Sequence, residues 1–253
     1  MGSQLFGYRM LGFGSVDIYK YDIEWLTVGG GSGGNGGESG VNYGNAGAGG
    51  TLNTGTETGV YNANIVNITI GSGSAGTKEA NSDAGGNTSL SGSITDTATG
   101  GNAASNTGHT GASNADYAGG TDAGGTNSGG GAGSGQAGQT HDGGDGATNS
   151  ITGGAVYYGG GGGGIDGGAG QPGGEGGGGD GEEVAKGNDG TDGLGGGGGG
   201  GPSGTGGGDG GNGVAILKML TVYYSGSTTG SPNVGADGAY TVLTWTSSGT
   251  YIT

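Results

Sequence analysis

Residues 17–38 read DIYKYDIEWLTVGGGSGGNGGE, and this stretch contains the two patterns that decide the fold. From Tyr19 to Trp25, aromatic and aliphatic residues alternate with charged ones, which is the period-two pattern of a half-buried β-strand. After this run, Ser32, Asn35 and Glu38 recur at every third position among glycines. Three residues per turn is the period of the polyproline-II helix. The stretch therefore predicts a strand that leads directly into a glycine helix.

Glycine dominates the composition, with 81 of 253 residues against a usual share of about 7%. There are only 3 prolines, which excludes collagen, because its triple helix needs abundant proline beside its regular glycine. Large apolar residues nearly vanish from 96 to 213. An α-helix is excluded there because each interior glycine costs about 1 kcal/mol relative to alanine. Two states remain open for this region: a flexible coil, or glycine chains packed in a polyproline-II-like form.

The three-residue register favours the packed state. Glycine recurs at every third position from Gly187 to Gly199, through a mixed sequence. A polyproline-II chain has no internal hydrogen bonds, so its buried N–H and C=O groups must pair with neighbouring chains. Glycine lets those backbones approach closely. We therefore expect parallel and antiparallel glycine helices joined by backbone hydrogen bonds, with polar residues on the outward rows.

Apolar runs elsewhere predict further strands. Residues 64–70 place Val66, Ile68 and Ile70 on one face, residues 88–95 indicate a third strand, and residues 239–246 a last one. Residues 214–224, VAILKMLTVYY, have large apolar side chains on both faces, which predicts a strand buried on both sides. The predicted fold class is mostly β and irregular, with β segments at both ends clamping a bundle of packed polyglycine-II helices and essentially no α-helix.

The chain divides into four predicted regions. They are an N-terminal attachment peptide (1–16), a β-rich segment with the first glycine turns (17–95), a glycine-rich polyglycine-II region (96–213) and a C-terminal β segment (214–253). The attachment peptide is either a disordered terminus or a peptide that orders on a partner surface. Its high density of large apolar residues favours docking. These residues are Leu5, Phe6, Tyr8, Met10, Leu11 and Phe13.

The charge balance excludes several classes of partner. The net charge is −16, from 21 acidic and 5 basic residues. Nucleic-acid binding needs lysine and arginine to neutralise phosphates, so it is excluded, and anionic membranes are disfavoured for the same reason. No apolar run approaches the roughly 18 residues of a membrane span. There is no cysteine, hence no disulfide framework and no thiolate metal site.

Catalytic chemistry finds no support in the residue patterns. His109 and His141 lie in polar low-complexity sequence and are expected at the surface rather than as catalytic bases. The glycine-rich stretches lack the strand–glycine–helix context of a phosphate loop and its lysine. No serine, histidine and aspartate arrangement has a recognisable nucleophile elbow. We therefore expect no enzyme, no catalytic residue and no cofactor.

A cluster of acidic residues has two interpretations. The first is a solvated outward row that keeps a glycine-rich surface soluble. The second is a Ca²⁺ site, because hard cations prefer oxygen ligands. GGDGGNGVA at 207–215 nearly fits the nonapeptide Ca²⁺ repeat, with Asn212 in place of aspartate, but it occurs once where that architecture needs several copies. We expect no metal, and the candidate ligands would be Asp189, Asp192, Asp209 and Asn212.

Three tyrosines stand out within glycine-rich sequence: Tyr117, Tyr157 and Tyr158. They either shield the bundle or face a carbohydrate or protein receptor, since an aromatic ring with a polar tip suits recognition surfaces. The structural role is the favoured one of the two.

Five motifs, in order along the chain, resemble the glycine-rich domains of tail-fibre and other structural proteins of tailed bacteriophages. They are DIEWLTVGGGSGGNGG (22–37), NITIGSGSAG (67–76), DAGGNTSLSGSITDTATGG (83–101), GGNGVAILKML (210–220) and GAYTVLTWTSSGTYIT (238–253). Two departures from the family pattern stand out. Residues 96–150 are richer in Asn, Thr, Ala and Asp, and the final TSSGT strand ends the chain instead of preceding the domain. That strand could fold back beside residues 17–28 or pair with the next subunit.

The resemblance implies packed glycine helices and a non-enzymatic role in a virion. The expected protein is a phage tail-fibre, capsid-fibre or adhesin component displayed for host recognition or attachment. It would be found in the virion, and outside the cell once released. The expected partners are other virion proteins bound through the N-terminal peptide, a host surface receptor (a carbohydrate or an outer-membrane protein) and further copies of the chain.

Three other functions stay open. A self-assembling extracellular filament would use the C-terminal strand for exchange between subunits. An ice-binding protein would use flat faces of the bundle, although the scattered threonines form no long ladder. A disordered linker protein would have no packed bundle at all.

Overall fold

The computed structural model describes residues 19–37, 43–122 and 127–253. The attachment peptide, with its apolar residues from Leu5 to Phe13, lies outside the described residues. Glu38 lies outside them too.

The described residues form thirteen short β-strands joined by long irregular segments. They are β1 (Lys20–Val28), β2 (Leu52–Tyr61), β3 (Ile65–Thr69), β4 (Thr88–Gly92), β5 (Asp96–Ala98), β6 (Ala147–Asn149), β7 (Val156–Tyr158), β8 (Ile165–Asp166), β9 (Ala169–Gly170), β10 (Val214–Leu220), β11 (Asn233–Asp237), β12 (Tyr240–Trp245) and β13 (Gly249–Ile252). Within these ranges the helical content is one three-residue 3₁₀ turn, Thr221–Tyr223. No helix there is long and apolar enough to span a membrane. The expected class, mostly β and irregular with essentially no α-helix, is confirmed.

Two antiparallel sheets pack face to face as a sandwich. The five-stranded sheet has the order β11-β12-β10-β1-β2, and the four-stranded sheet has the order β13-β3-β4-β5. Their facing sides share one apolar core, in which Ile23, Leu217 and Trp245 of the larger sheet meet Val66, Leu90 and Tyr251 of the smaller one.

Strand β10 is buried on both faces, as its sequence predicts. Leu217 and Met219 enter the core between the sheets, whereas Val214 and Ile216 pack on the opposite face. On that outer face they contact side chains of the β6–β7 hairpin, including Tyr158. The hairpin covers only part of the outer face, so the rest of the five-stranded sheet stays open to solvent.

The C-terminal strands complete the sandwich within one chain. β12 pairs with β10 and β11, and β13 pairs with β3, where Tyr251 lies opposite Val66. The final strand therefore does not lie beside β1; it pairs with β3 of its own chain. Regions 17–95 and 214–253 consequently form one folded unit.

The glycine segment after β1 shows a three-residue repeat in its backbone hydrogen bonds. The N–H groups of Gly31 and Gly34 donate to Gly211 and Gly208 O, at 2.9 Å each. Those of Ser32 and Asn35 donate to Ala48 and Asn45 O, also at 2.9 Å each. In the third direction, the Gly30 N–H donates to Gly86 O and the Gly36 N–H donates to Thr77 O, so two further segments share this side. Successive amides thus turn by one third of a rotation, as in a polyproline-II helix.

Segment 29–36 is the centre of a six-membered ring of chain segments. It makes backbone hydrogen bonds with all six, and each of the six is bonded to the next around it. The ring consists of 44–51, 99–101, 85–86, 71–77, 207–213 and 196–201. The pairing is both parallel and antiparallel: the Gly198 and Gly201 amides meet Ser32 and Asn35 O in parallel, whereas the 208–211 pairing is antiparallel.

Packing at this spacing leaves no room for side chains on most inward positions. A Cβ atom added to Gly31 would lie 1.9 Å from Gly196 O, and one added to Gly34 would lie 2.3 Å from Gly199 O. Every residue from 26 to 37 is buried. The bundle starts at Gly29, immediately after Val28, and returns through Gly213 to Val214. Packed glycine segments therefore occur within 17–95 as well as within 96–213.

The expectation that polar residues occupy only outward rows is wrong. Ser32 and Asn35 have no exposed surface. Ser32 Oγ accepts the Ala48 N–H at 2.9 Å, and Asn35 Oδ1 accepts the Asn45 N–H at 2.8 Å. A short polar side chain can enter the bundle when its oxygen takes the place of a backbone carbonyl. Among the described side chains, no buried nitrogen or oxygen lacks a hydrogen-bond partner.

Replacing Gly31 with alanine should destabilise the protein by at least about 3 kcal/mol, the upper range for overpacking a buried site. The added methyl group meets backbone, which no rotamer change can move. Gly154→Ala is the matched control, since Gly154 is exposed and nothing lies within 4 Å of its Cβ position. Chemical denaturation of both variants measures the difference. Equal stability for Gly31→Ala and the wild type would contradict the packed bundle.

Candidate functional site

Exposed large apolar side chains gather at the end of the sandwich opposite the bundle. β1 and β10 meet the bundle at Val28 and Val214, so Lys20 and Leu220 mark the far end. We call this end the aromatic pole, and its exposed members are Tyr19, Tyr61, Ile65, Leu220, Val222, Tyr240 and Ile252. Exposed apolar side chains gathered at one end of a fold are a candidate interaction surface.

A stack of three tyrosine rings organises the pole. The ring of Tyr223 lies 5.1 Å from that of Tyr21 and 5.6 Å from that of Tyr19, with both pairs stacked. Tyr21 is buried, and its hydroxyl lies 3.2 Å from that of Tyr251. Burial, together with this hydrogen bond, raises the pKa of Tyr21 above its usual value. The Lys20 ammonium lies 4.4 Å from the centre of the Tyr61 ring, a cation–π distance.

Tyr117 lies on an exposed turn of the bundle. Asn114 holds this turn, because its Oδ1 accepts the N–H groups of Asp116 at 3.0 Å and Tyr117 at 2.8 Å. The Asn114 N–H in turn donates to Tyr117 O at 3.0 Å. The Tyr117 side chain is therefore presented to solvent on a fixed backbone.

Tyr157 and Tyr158 point to opposite sides of β7. Tyr157 is exposed, but Tyr158 is only 3% exposed and packs beneath the hairpin against the five-stranded sheet. Burial raises the pKa of the Tyr158 phenol, and a hydrogen bond with Thr152 offsets this only in part. Tyr158 is thus a core residue, which corrects its interpretation as receptor-facing. Of the ring contacts among the described residues, none joins Tyr117 to Tyr157.

The four candidate Ca²⁺ ligands do lie together, in two parallel hydrogen-bond relays. In the first relay, Asp189 Oδ1 accepts the Asp209 N–H, and Asp209 Oδ1 accepts the Gly76 N–H, both at 2.8 Å. The second relay lies three residues along each segment. There Asp192 Oδ1 accepts the Asn212 N–H at 2.8 Å, and Asn212 Oδ1 accepts the Gly73 N–H at 2.9 Å.

These relays give the residues a structural role at the edge of the bundle. Lys186 Nζ lies 2.8 Å from Asp189 Oδ1 and 3.2 Å from Asp209 Oδ1. Partial burial raises the pKa of the Asp189 carboxyl, but the hydrogen bonds from Lys186 and from the Asp209 N–H outweigh it, so this pKa lies below its ordinary value. Within the described ranges, no group of three acidic or histidine side chains is placed to hold a metal ion. The geometry therefore favours a role for these side chains as hydrogen-bond acceptors in place of backbone carbonyls, rather than as metal ligands.

Both histidines contact backbone carbonyls of neighbouring residues. His109 Nδ1 lies 2.6 Å from Asn127 O, and His141 Nδ1 lies 3.2 Å from Ser128 O. His141 Nε2 is 3.7 Å from Asp166 Oδ1. These contacts join segments of the bundle, in keeping with a structural role for each ring.

Comparison with known families gives one result. A family model described as a glycine-rich domain matches residues 16–220. The chain belongs to this glycine-rich domain family. The match begins just before β1 and ends with β10, so it contains all the packed glycine segments of the structure. Neither the curated proteins nor the solved structures include a match to this chain.

For this glycine-rich domain, sequence reasoning missed the surface formed by strands distant in the chain. The exposed face of the five-stranded sheet brings Glu24, Thr56 and Lys218 into adjacent register positions. Only the alternation of β1 gave a signal, since it predicts that Glu24 faces away from the core. Nothing in the sequence indicates which strands lie on either side.

The Asp189 relay should make stability depend on pH. Because the folded-state pKa of Asp189 lies below its unfolded value of about 3.9, its contribution is present above that value and is lost as pH falls through the folded pKa. Asp189→Asn keeps an acceptor oxygen but has no charge to titrate. Denaturation from about pH 5 to pH 2 should show a smaller loss of stability for this variant than for the wild type.

At pH 7, Asp189→Ala should cost about 1 kcal/mol, because the Asp209 N–H loses its acceptor. Asp116→Ala is the control, since it removes the same charge from an exposed turn outside the relay. If both alanine variants have the stability of the wild type, the relay makes no structural contribution.

Proposed function

We propose that this protein is a non-enzymatic structural component of a tailed-phage virion, a tail-fibre, capsid-fibre or adhesin component displayed on the particle for host recognition or attachment. Membership in the glycine-rich domain family supports the glycine-built part of this proposal. The phage context rests on the five ordered motifs that resemble fibre proteins.

The observation that carries the proposal is that the two ends of the molecule differ in chemical character. One end is the aromatic pole, and Tyr19, the first described residue, belongs to it. The other end is a glycine bundle whose exposed turns carry acidic residues such as Asp116, Asp142 and Glu175. An apolar end for attachment and a soluble end for display suit a particle-bound protein.

The bundle also suits display because its turns are held firmly. Their backbone groups bond to other segments or to short polar side chains, as Asn114 does beneath Tyr117. An ordered turn that presents Tyr117 loses little conformational entropy on binding a receptor.

The internal pairing of β13 with β3 gives no support to a filament joined by exchange of that strand. The proposal therefore assigns attachment to the N-terminal side of the molecule. The proposal still includes further copies of the chain as partners.

Mass spectrometry of gradient-purified particles tests the proposal. The protein should copurify at a fixed ratio to the major capsid protein and should remain after a high-salt wash. Labelling of a C-terminal tag should locate it on the particle by cryo-electron microscopy. Absence of the protein from washed particles would rule out the virion assignment.

Deleting residues 1–16 should abolish incorporation into particles while leaving the fold intact, because the bundle and sandwich lie within 19–253. Circular dichroism and the unfolding midpoint check the fold, and particle-bound protein is measured by immunoblot. The same tag on the full-length chain is the control. Normal incorporation of the truncated protein would show that another surface makes the attachment.

A further inference from the structure

The open face of the five-stranded sheet contains a trough between the β6–β7 hairpin and the aromatic pole. Two adjoining cavities of about 390 Å³ each form it, and they share Glu24, Thr56 and Lys218. These three residues lie side by side on β1, β2 and β10, since Glu24 is opposite both Thr56 and Lys218. The hairpin turn, with Asn149, Ser150 and Ile151, closes one side. The trough is thus built from several strands.

Lys218 is fixed in position on the floor. Its Nζ lies 2.8 Å from Asp237 Oδ2 and 5.1 Å from the centre of the Tyr240 ring, and its side chain is only 12% exposed. Since Asp237 already neutralises its charge, Lys218 can offer N–H donors without attracting a strongly anionic ligand. A fixed donor loses little rotamer entropy when a ligand binds.

Glu24, next to Lys218, is exposed and is not held by a partner among the described side chains. Its side chain is exposed, and within the described part of the chain it makes no hydrogen bond or ion pair, although Lys218 is its cross-strand neighbour. Its two carboxylate oxygens remain available as acceptors. A carboxylate beside a held ammonium presents acceptors and donors within one short stretch of surface.

An aromatic ring lines the pole side of the trough. Tyr240 is 37% exposed and lies beside Lys218, whereas the Tyr223 ring stacks on Tyr21 on the core side of the sheet. The Tyr240 ring provides an apolar platform with a polar tip. The trough therefore combines a ring face with hydrogen-bonding groups, including the hydroxyls of Thr54 and Thr56.

The charges select the chemistry of the ligand. Asp237 neutralises Lys218. Lys20 then stands against both Asp22 and Glu24, so the trough carries a small net negative charge and disfavours an anionic ligand. The charged floor disfavours an apolar chain. Nucleic acid is disfavoured by the net charge of −16. A neutral ligand with many hydroxyl groups and apolar C–H faces fits these features.

We propose that the trough binds a neutral oligosaccharide. Glu24 accepts hydrogen bonds from sugar hydroxyl groups, Lys218 donates to a ring or hydroxyl oxygen, and Tyr240 packs on the apolar face of a sugar ring. The inference names the ligand class for the receptor-binding part of the proposed function and in that respect rests on it. It places that contact on the side of the sandwich rather than on the turns of the bundle.

Titration calorimetry of the purified full-length chain tests this site, with neutral gluco-, galacto- and manno-oligosaccharides of three to six units as probes. At least one series should bind with a Kd of about 1 mM or below. Glu24→Gln and Tyr240→Ala should each weaken binding by about tenfold or more. Tyr240→Phe should bind as the wild type does, because the ring is kept.

Two control variants and one stability measurement keep the result specific. Glu57→Gln removes an exposed carboxylate from β2 outside the trough and should leave binding unchanged. Unfolding midpoints equal to that of the wild type should show that each variant is folded. Tyr157→Ala removes an exposed ring away from the trough and should also bind normally.

Absence of binding for every series at about 10 mM sugar would overturn the proposal. So would binding that Tyr157→Ala abolishes and that Glu24→Gln and Tyr240→Ala leave intact. The particle assay is independent of these titrations. A protein that binds sugar but is absent from particles refutes the virion assignment alone, whereas a particle protein that binds none refutes the trough alone.

Discussion

The rest of the structure depends on lateral hydrogen bonds between backbones at a three-residue repeat. Each amide of segment 29–36 points to a different neighbour from the one before it, and six segments surround it in a closed ring. This spacing dictates the glycine content, because a Cβ atom on Gly31 or Gly34 would overlap a carbonyl. It also explains the absence of α-helix across the described bundle, since these amides bond between segments rather than along one.

Ordering so much glycine costs more conformational entropy than ordering any other residue type. The β-sandwich offsets part of this cost by fixing the ends of the bundle. β1 continues directly into Gly29, and β10 follows directly from Gly213, so the apolar core on both faces of these strands anchors the first and last glycine segments. Short polar side chains complete the edges, where Asp209 and Asn212 take the place of missing carbonyls.

The alternation from Tyr19 to Trp25 was sufficient to predict β1, and the three-residue register was sufficient to predict the packed glycine segments. The apolar run at 214–224 was sufficient to predict the two-sided burial of β10. Burial of Ser32 and Asn35 was not predictable, because it depends on which neighbouring amides need an acceptor. The sequence does not predict β2, because this strand, LNTGTETGVY, is mostly polar and lies at a sheet edge. The sequence does not predict the trough either, because Glu24, Thr56 and Lys218 become neighbours only through the order of the strands in the sheet.

Native-state hydrogen exchange, read by NMR at individual glycine amides, tests the packed bundle most directly. The amides of Gly30, Gly31 and Gly34 should exchange as slowly as those of β1 and β10, because releasing them requires unfolding of the whole unit. The exposed Gly154 amide should exchange quickly in the same experiment. If the amides of segment 29–36 exchange at the rate of an unstructured chain, the glycine region is not a hydrogen-bonded bundle and the account fails.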